Sequence, residues 1–586
     1  MMFRSFSLAA AVTAIVGTSL GAQTFPTDDP VIKRIYAIGM DSSRLEYEAH
    51  VLFDSLGPRL MGTSNLKRAQ DWLVSTYKGW GVDAKEERYG TWRGWERGHS
   101  HIDLVSPRQR TLQGQMVGYS PGTGGRDVSL ETIILPRFAD STEFVKWLPN
   151  AKGKLVMISA ALPTCRPQDD WAANATSESK LRMDSIMVHT QRDWASARPS
   201  PNNPSITGTN AGVRGTGYSA ALGGGELGVR LEKGGAAGII TSRPKLAWSM
   251  GGGRTPQQFV EAMQNPNAAG RGFGFGGGAL NTGWGAMEVF ETYNLTTPAI
   301  ALDCEDYGLV FRLTDSGDHP RLTLNLDARL LGEQPVYNVV GTMKGTEHPN
   351  EYVMLSAHFD SWDGSSGATD NGTGTLTMLE AMRILRLAYP KPKRTIMVGH
   401  WSGEEEGEVG SKAFTEDHPE VLNGLQALFN QDNGTGRIRS INGGGLVHSP
   451  EHINGWLGRI PKEFTAQING GNPILSGRPA GGGSDDFSFG CAGLPAFGLG
   501  ATPWDYNTVT WHTERDTYDK VVFDDLEYNA TLTAMLVYLA SEDPTRIPLD
   551  RIDLATLARG GGGRGFGSST WPECEKAPRS TSPRLK

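Results

Sequence analysis

The feature that most constrains this chain is a regular alternation that begins after Leu331. Apolar, β-rich runs recur at Val336–Met343, Tyr352–His358, Thr395–Trp401 and Leu425–Asn430. A stretch of helical spacing, Leu376–Leu387, lies between the second and third and is stopped by Pro390-Lys391-Pro392. Runs this apolar read as strands buried on both faces, and strands alternating with helices build a layered sheet. The predicted class is therefore α/β, with a mixed, mostly parallel sheet sandwiched by helices.

The flanking segments read differently. Ser42-Ser43 is placed to cap a helix with Leu45, Ala49, Leu52 and Phe53 on its apolar face, running into the turn Leu56-Gly57-Pro58-Arg59. A second helix, Asn65 to Trp80, stripes Leu66, Ala69, Leu73 and Tyr77 and stops at Gly81. Between about Leu130 and Leu324 only short β-like runs recur (Lys154–Ser159, Gly238–Thr241, Ala299–Leu302) among Gly/Asn/Pro stretches such as Asn265–Gly285. Those stretches can bury little apolar surface and are expected to be mobile surface loops. With 586 residues, more than one folded unit is expected.

Met1 to Ala22 has the layout of a secretory signal: Arg4, an apolar run from Leu8 to Val16, then Gly21 and Ala22 before the expected cut. The run is too short to cross ~30 Å of hydrocarbon, and no later segment is apolar for long enough. The expected product is secreted or periplasmic, with no integral membrane segment after cleavage. Four cysteines, Cys165, Cys304, Cys491 and Cys574, permit disulfides in an exported chain. A Cys165–Cys304 bridge and two buried thiols are both open readings. A net charge of -8 gives no reason to expect nucleic acid or an anionic membrane as partner.

The chemistry-bearing residues sit at the carboxyl ends of the predicted strands, where ligands bind in open α/β sheets. Tyr352–Ala357 leads into His358-Phe359-Asp360-Ser361-Trp362-Asp363, and a loop Gly367-Ala368-Thr369-Asp370-Asn371-Gly372 follows. Thr395–Trp401 leads into Ser402-Gly403-Glu404-Glu405-Glu406-Gly407, and Leu425–Asn430 into Gln431-Asp432-Asn433. Trp511-His512-Thr513 comes much later. Singly, such a histidine reads as a structural residue and a glutamate triplet as a solvated helix start. Together they form the nitrogen and oxygen donor set that suits zinc.

As an ordered set these motifs resemble the M28 co-catalytic zinc peptidases, and within them the carboxypeptidase Q branch. Gly57-Pro58-Arg59-Leu60-Met61-Gly62 and Lys67-Arg68-Ala69-Gln70-Asp71-Trp72-Leu73 resemble that branch's N-terminal helices. Leu231-Glu232-Lys233-Gly234-Gly235-Ala236-Ala237-Gly238 and Thr297-Pro298-Ala299-Ile300 more loosely resemble its inserted protease-associated (PA) domain. The resemblance implies a zinc-peptidase, phosphorylase/hydrolase-like fold with a β-rich PA insert. It divides the chain between the signal (1–22) and a tail (546–586) expected from its glycines to be disordered into the first part of the peptidase domain (30–130), the PA-like insert (131–325) and the site-bearing part (331–545).

Residue by residue, the resemblance implies one zinc on His358 and Asp432, a second on Glu405 and His512, and Asp370 bridging the two. Glu404 is the implied general base, and Asp360 orients His358 by accepting its remaining ring N–H. Two divalent ions balance three ligand carboxylates and one hydroxide, so the charges close. The implied activity is exopeptidase hydrolysis of short peptides or dipeptides, with amino-, carboxy- and dipeptidase polarity all open, and a homodimer as the implied assembly. Two other readings are a binding protein on a dead peptidase fold and a single-zinc transferase of the glutaminyl cyclase type. The filled ligand and base positions weigh against the first, and the bridging aspartate with two histidines against the second. Glu406 and Glu408 are expected to be loop or first-turn charges, and His400 a core residue. Asp485-Asp486 reads equally as a substrate-side loop or a solvated turn. Trp511 stands where some relatives place an oxyanion-assisting tyrosine, and it has no hydroxyl.

Overall fold

A computed structural model describes residues 27–136, 138, 141–195, 227–242, 296–555 and 570–581. The expected signal and the Asn265–Gly285 stretch lie outside the described residues.

The strands, in chain order, are β1 (Asp83–Ser106), β2 (Arg110–Thr111), β3 (Gly114–Met116), β4 (Val128–Ile134), β5 (Leu155–Met157), β6 (Gly238–Ser242) and β7 (Ala299–Leu302). There follow β8 (Arg321–Met343), β9 (His348–His358), β10 (Arg394–Trp401), β11 (Leu425–Asn430), β12 (Ile438–Ile441) and β13 (Ala496–Ala501). Among the described residues they join in one sheet of order β12-β13-β11-β9-β10-β8-β4-β5-β6-β7-β3, with β1 on β8 and β2 on β1. The centre, β10-β9-β11-β13, is parallel throughout. Antiparallel pairs attach β12 to β13 and β8 to β10.

The period of two decides what lies on each face. Val353, Leu355, Ile396 and Val398 point to one side, where the helices Pro30–Asp41, Thr373–Ala388 and Phe523–Glu542 pack on one another. Met354, Met397 and Leu428 point to the other, against Trp401, Phe414 and Phe489. Both faces are covered, which is why these strands carry no polar alternation. The α/β class with helices on both sides is the one found. The first helix starts where Asp29 accepts from the amides of Val31 and Ile32, with Pro30 at its first position. The helix Ser64–Gly79 is capped by Thr63 accepting from the Leu66 amide.

The expected PA-like segment has an apolar cluster of its own, with Phe144, Val156, Leu231 and Ile239. Helices such as Ser177–Ala195 and Cys304–Asp315 accompany its short strands. The sheet nevertheless runs on without a break through β4 and β8. Both disulfides form, Cys165–Cys304 and Cys491–Cys574.

The second bridge corrects the expectation for the tail. Residues 570–581 are an ordered strap: Trp571 donates to the carbonyls of Gly490 and Cys491, and Glu575 reaches Lys412 at 2.9 Å. Arg579 pairs with Glu416 and Asp417 and donates to Tyr89 O, while its own carbonyl accepts the Thr91 amide. A glycine-rich approach does not disorder the segment beyond it when a covalent tie and ion pairs fix that segment.

Candidate metal centre

Because β9, β10 and β11 are parallel neighbours, their carboxyl ends open on one edge. His358 ends β9 in register with Trp401 of β10, and Asn430 of β11 lies opposite Ser356. The residues that follow therefore converge. His358 Nε2 lies 3.2 Å from Asp432 Oδ1, 3.6 Å from Asp370 Oδ1 and 3.9 Å from Glu404 Oε2. His512 Nε2 lies 2.9 Å from Glu405 Oε2 and 3.4 Å from Asp370 Oδ2. Asp370 thus faces both histidines, one oxygen to each. His358/Asp370/Asp432 and Asp370/Glu405/His512 each gather donor atoms within 4.8 Å of one another. Glu404 stands beside the first group and belongs to neither.

The loops that set these side chains are themselves fixed. Asp516 accepts from the amides of Thr369 at 2.7 Å and Asp370 at 2.9 Å, which ties the Asp370 loop to the loop of His512. Asn371, joined to Asp370 by a cis peptide, donates to Gln431 O at 2.8 Å, next to Asp432. Gly403, at φ 81°, lets the Glu404 turn approach Met61, whose sulfur a Cβ there would meet at 2.6 Å. Arg59 is fully buried and donates to the carbonyls of Gly57, Phe359, Ser366 and Gly367.

The role expected of Asp360 changes in detail. The His358 Nδ1 hydrogen bond runs to the main-chain carbonyl of Asp360, at 3.1 Å. The carboxylate, 3.6 Å from that nitrogen, accepts instead from the amides of Glu404 and Glu405, at 3.2 Å each. Asp360 therefore aims both glutamates, and the histidine only through its backbone. A strand-end residue cannot show in sequence whether its carbonyl or its side chain makes a contact.

Neighbouring acidic residues are more buried than expected. Glu406 accepts from the Tyr119 hydroxyl at 2.9 Å. Glu408 is paired with the buried Lys412 at 2.9 Å. Asp485 and Asp486 are buried too, so neither is a solvated turn residue. His400 is a core residue, 2.7 Å from the Tyr77 hydroxyl. Tyr506, which no sequence motif singles out, donates its hydroxyl to Asp370 Oδ1 at 2.9 Å. It lies five residues before Trp511, carried to the site by the turn Tyr506–Thr510.

Electrostatics shows what the cluster lacks. Burial pushes the Glu404 and Glu405 carboxyls well above their usual range, and neighbouring carboxylates add to it. Burial also raises Asp370. Burial opposes charge on His358, yet Asp432, Glu404, Asp360 and Asp370 outweigh it and hold its pKa well above the imidazole range. The cluster is short of positive charge, as a site for a cation would be. Asp370 Oδ2 and Glu405 Oε1 are buried and make no hydrogen bond, as oxygens kept for a cation would be. Carboxylates and imidazoles are zinc ligands, so the donor set fits the metal that the motifs imply.

Fold and site define the class: an open α/β protein with histidines and carboxylates that could hold a metal gathered at the carboxyl edge of its parallel strands. Residues 338–537 match Peptidase family M28. It is 24% identical over 391 residues to carboxypeptidase Q of Xenopus laevis, covering 66% of this chain and 65% of that protein. It is 23% identical over 385 residues to carboxypeptidase Q of Bos taurus, covering 66% and 63%. The match thus spans just under two thirds of the length of these relatives. A peptidase M28 precursor from Shewanella amazonensis SB2B has the same fold, with a TM-score of 0.57 at 22% identity over 88% of this chain and 97% of that one.

Proposed function

We propose that this chain is an exported dinuclear zinc exopeptidase that hydrolyses short peptides or dipeptides. The observation that carries the reading is Asp370, one carboxylate oxygen turned to each histidine, with Glu404 left outside both donor groups. His358 and Asp432 would hold one zinc, Glu405 and His512 the other, and Asp370 both. Bound there, the ions would supply Lewis acidity to the scissile carbonyl and acidify the attacking water.

The remaining work falls to this chain's own residues. Glu404 takes the proton from the attacking water and delivers it to the leaving amine, a role open to a carboxylate that stands beside the first donor group and belongs to neither. Asp360 fixes Glu404 and Glu405 through their amides, so that the adjacent side chains can diverge in role. Tyr506 and Asp516 hold Asp370 across the centre. The segment 131–325 acts as a PA-like cover beside the cleft, and Met1–Ala22 directs export.

Glu404→Gln should keep both zinc ions, read by metal analysis, while turnover of dipeptides falls by roughly 10²–10⁴-fold. A glutamine variant as active as the wild type rejects the assigned base. A wild-type protein holding a single zinc rejects the dinuclear reading. Dipeptides blocked at either end then fix which terminus is recognised.

A further inference from the structure

The two histidines of the centre are held in different ways. His358 is oriented by its hydrogen bond to the Asp360 carbonyl, and no ring stacks on it among the described residues. His512 lies between two indoles. Trp362 stacks on it with ring centroids 4.6 Å apart and planes 21° apart, and Trp511 with centroids 3.9 Å apart and planes 29° apart. An imidazole has two faces, and two near-parallel indoles at those distances take one each.

The indoles come from separate parts of the chain. Trp362 follows β9 in the loop that also carries Asp360, and it is buried. Trp511 precedes His512 in a turn where His512 takes the left-handed φ of 59°. That backbone gives the ring little local guidance, since non-glycine residues rarely adopt it. A free imidazole on such a turn could swing about its side-chain torsions. Between two indoles its plane is set, and rotation within the plane is all that the contact to Glu405 must still fix.

We propose that Trp362 and Trp511 are positioning residues for the Glu405/His512 half of the centre, holding the ring in its ligating pose and favouring its metal-bound form. The inference rests on the dinuclear reading above. The second effect is electrostatic. An imidazole bound to a divalent ion carries part of the ion's charge, and an indole presents a negative face to it. Two such faces in a water-poor site stabilise the charged ring against the neutral one. The His358 half has no such support and depends on hydrogen bonding. The two half-sites therefore respond differently to loss of aromatic rings, although they share Asp370.

The test uses the full chain, stripped of metal by a chelator and titrated with Co²⁺ while calorimetry and visible absorption are recorded. The variants are Trp362→Ala, Trp511→Ala and the conservative Trp362→Phe and Trp511→Phe. The wild type should take up two ions. Each alanine variant should bind one Co²⁺ as the wild type does and the other about five- to tenfold more weakly. The phenylalanine variants, which keep a stacking ring, should stay within about threefold of the wild type. Unchanged binding of the first ion shows that the alanine variants are folded. Two ions bound at wild-type affinity by both alanine variants, or equal weakening of both half-sites, overturns the inference while leaving two metals in place. A wild type that binds one ion overturns the dinuclear reading, and the inference with it.

Discussion

Arg59 offers a sharp test of how the site loops are held. Its guanidinium is fully buried and donates to four carbonyls: Phe359 at 2.7 Å, Ser366 at 2.6 Å, Gly367 at 2.9 Å and Gly57 at 3.2 Å. Two of the loops it ties carry Asp360 and Asp370. Burial pushes its pKa down to about 10, even though Asp516, Asp360, Asp370 and Glu405 pull it up. It stays charged at neutral pH. A drop of this size from 12.5 means that the fold holds the charge at a cost of roughly 3 kcal/mol, at ~1.4 kcal/mol per unit. Arg59→Met removes that cost together with four hydrogen bonds from a charged donor, each worth about 1.5–3 kcal/mol. The net expectation is a loss of about 5 kcal/mol. Arg59→Lys keeps the charge but brings three donors to four carbonyls, so at least one hydrogen bond is lost, for a loss of about 1.5–3 kcal/mol. Urea unfolding of the metal-free protein measures both, free of any contribution from metal binding. A methionine variant within about 1 kcal/mol of the wild type, or less destabilised than the lysine variant, would refute the reasoning.

Three further outcomes follow from contacts already described. Burial lowers the His400 pKa from 6.5 to about 3, so the folded chain refuses a proton that the unfolded chain accepts. Stability should therefore fall as pH drops from about 6.5 towards 3, by ~1.4 kcal/mol per unit, and His400→Gln should remove that share of the slope in unfolding midpoints. Tyr506→Phe deletes the hydrogen bond to Asp370 and should weaken metal binding by roughly 10-fold in competition with a chelator, with little change in unfolding of the metal-free chain. Lys412→Met leaves the buried Glu408 without its cation and should cost about 3–5 kcal/mol, whereas Glu575→Ala, at the exposed end of the same ion-pair set, should cost under about 1 kcal/mol in the same urea titration.

The centre of the sheet was legible because burial on both faces writes itself into sequence as uninterrupted apolar runs. Leu425–Asn430 has the predicted ends, and Thr395–Trp401 is one residue short of the strand found. The polar residues ending these runs were legible for the same reason, since a run that buries its strand also dictates where its last residue emerges. β1 was not: Gly90, Gly94 and Gly98 and a scatter of charges break its alternation, and only pairing with β8 makes it a strand. Arg59 read as a turn residue because sequence does not show which loops close over it. Glu406 and Glu408 read as loop or first-turn charges, and a solvated turn was one of two readings for Asp485 and Asp486, because acidic residues usually are solvated. Glu406 is covered by way of Tyr119 and Glu408 accepts from the Gly483 amide, both partners distant in sequence. Tyr506 reaches Asp370 only through the shape of one turn.

The strap at 570–581 also orders events in time. Chains are made from the amino end, and the stretch matching the peptidase family is complete at residue 537. Cys574, Glu575 and Arg579 emerge dozens of residues later, yet they brace Cys491, Lys412 and Tyr89, and the Tyr89 hydroxyl holds Ser402 O two residues before Glu404. A nascent chain can build the whole sheet and still lack the brace behind its glutamates. The structure described here closes only after synthesis has passed residue 579 and an oxidant has joined Cys491 to Cys574.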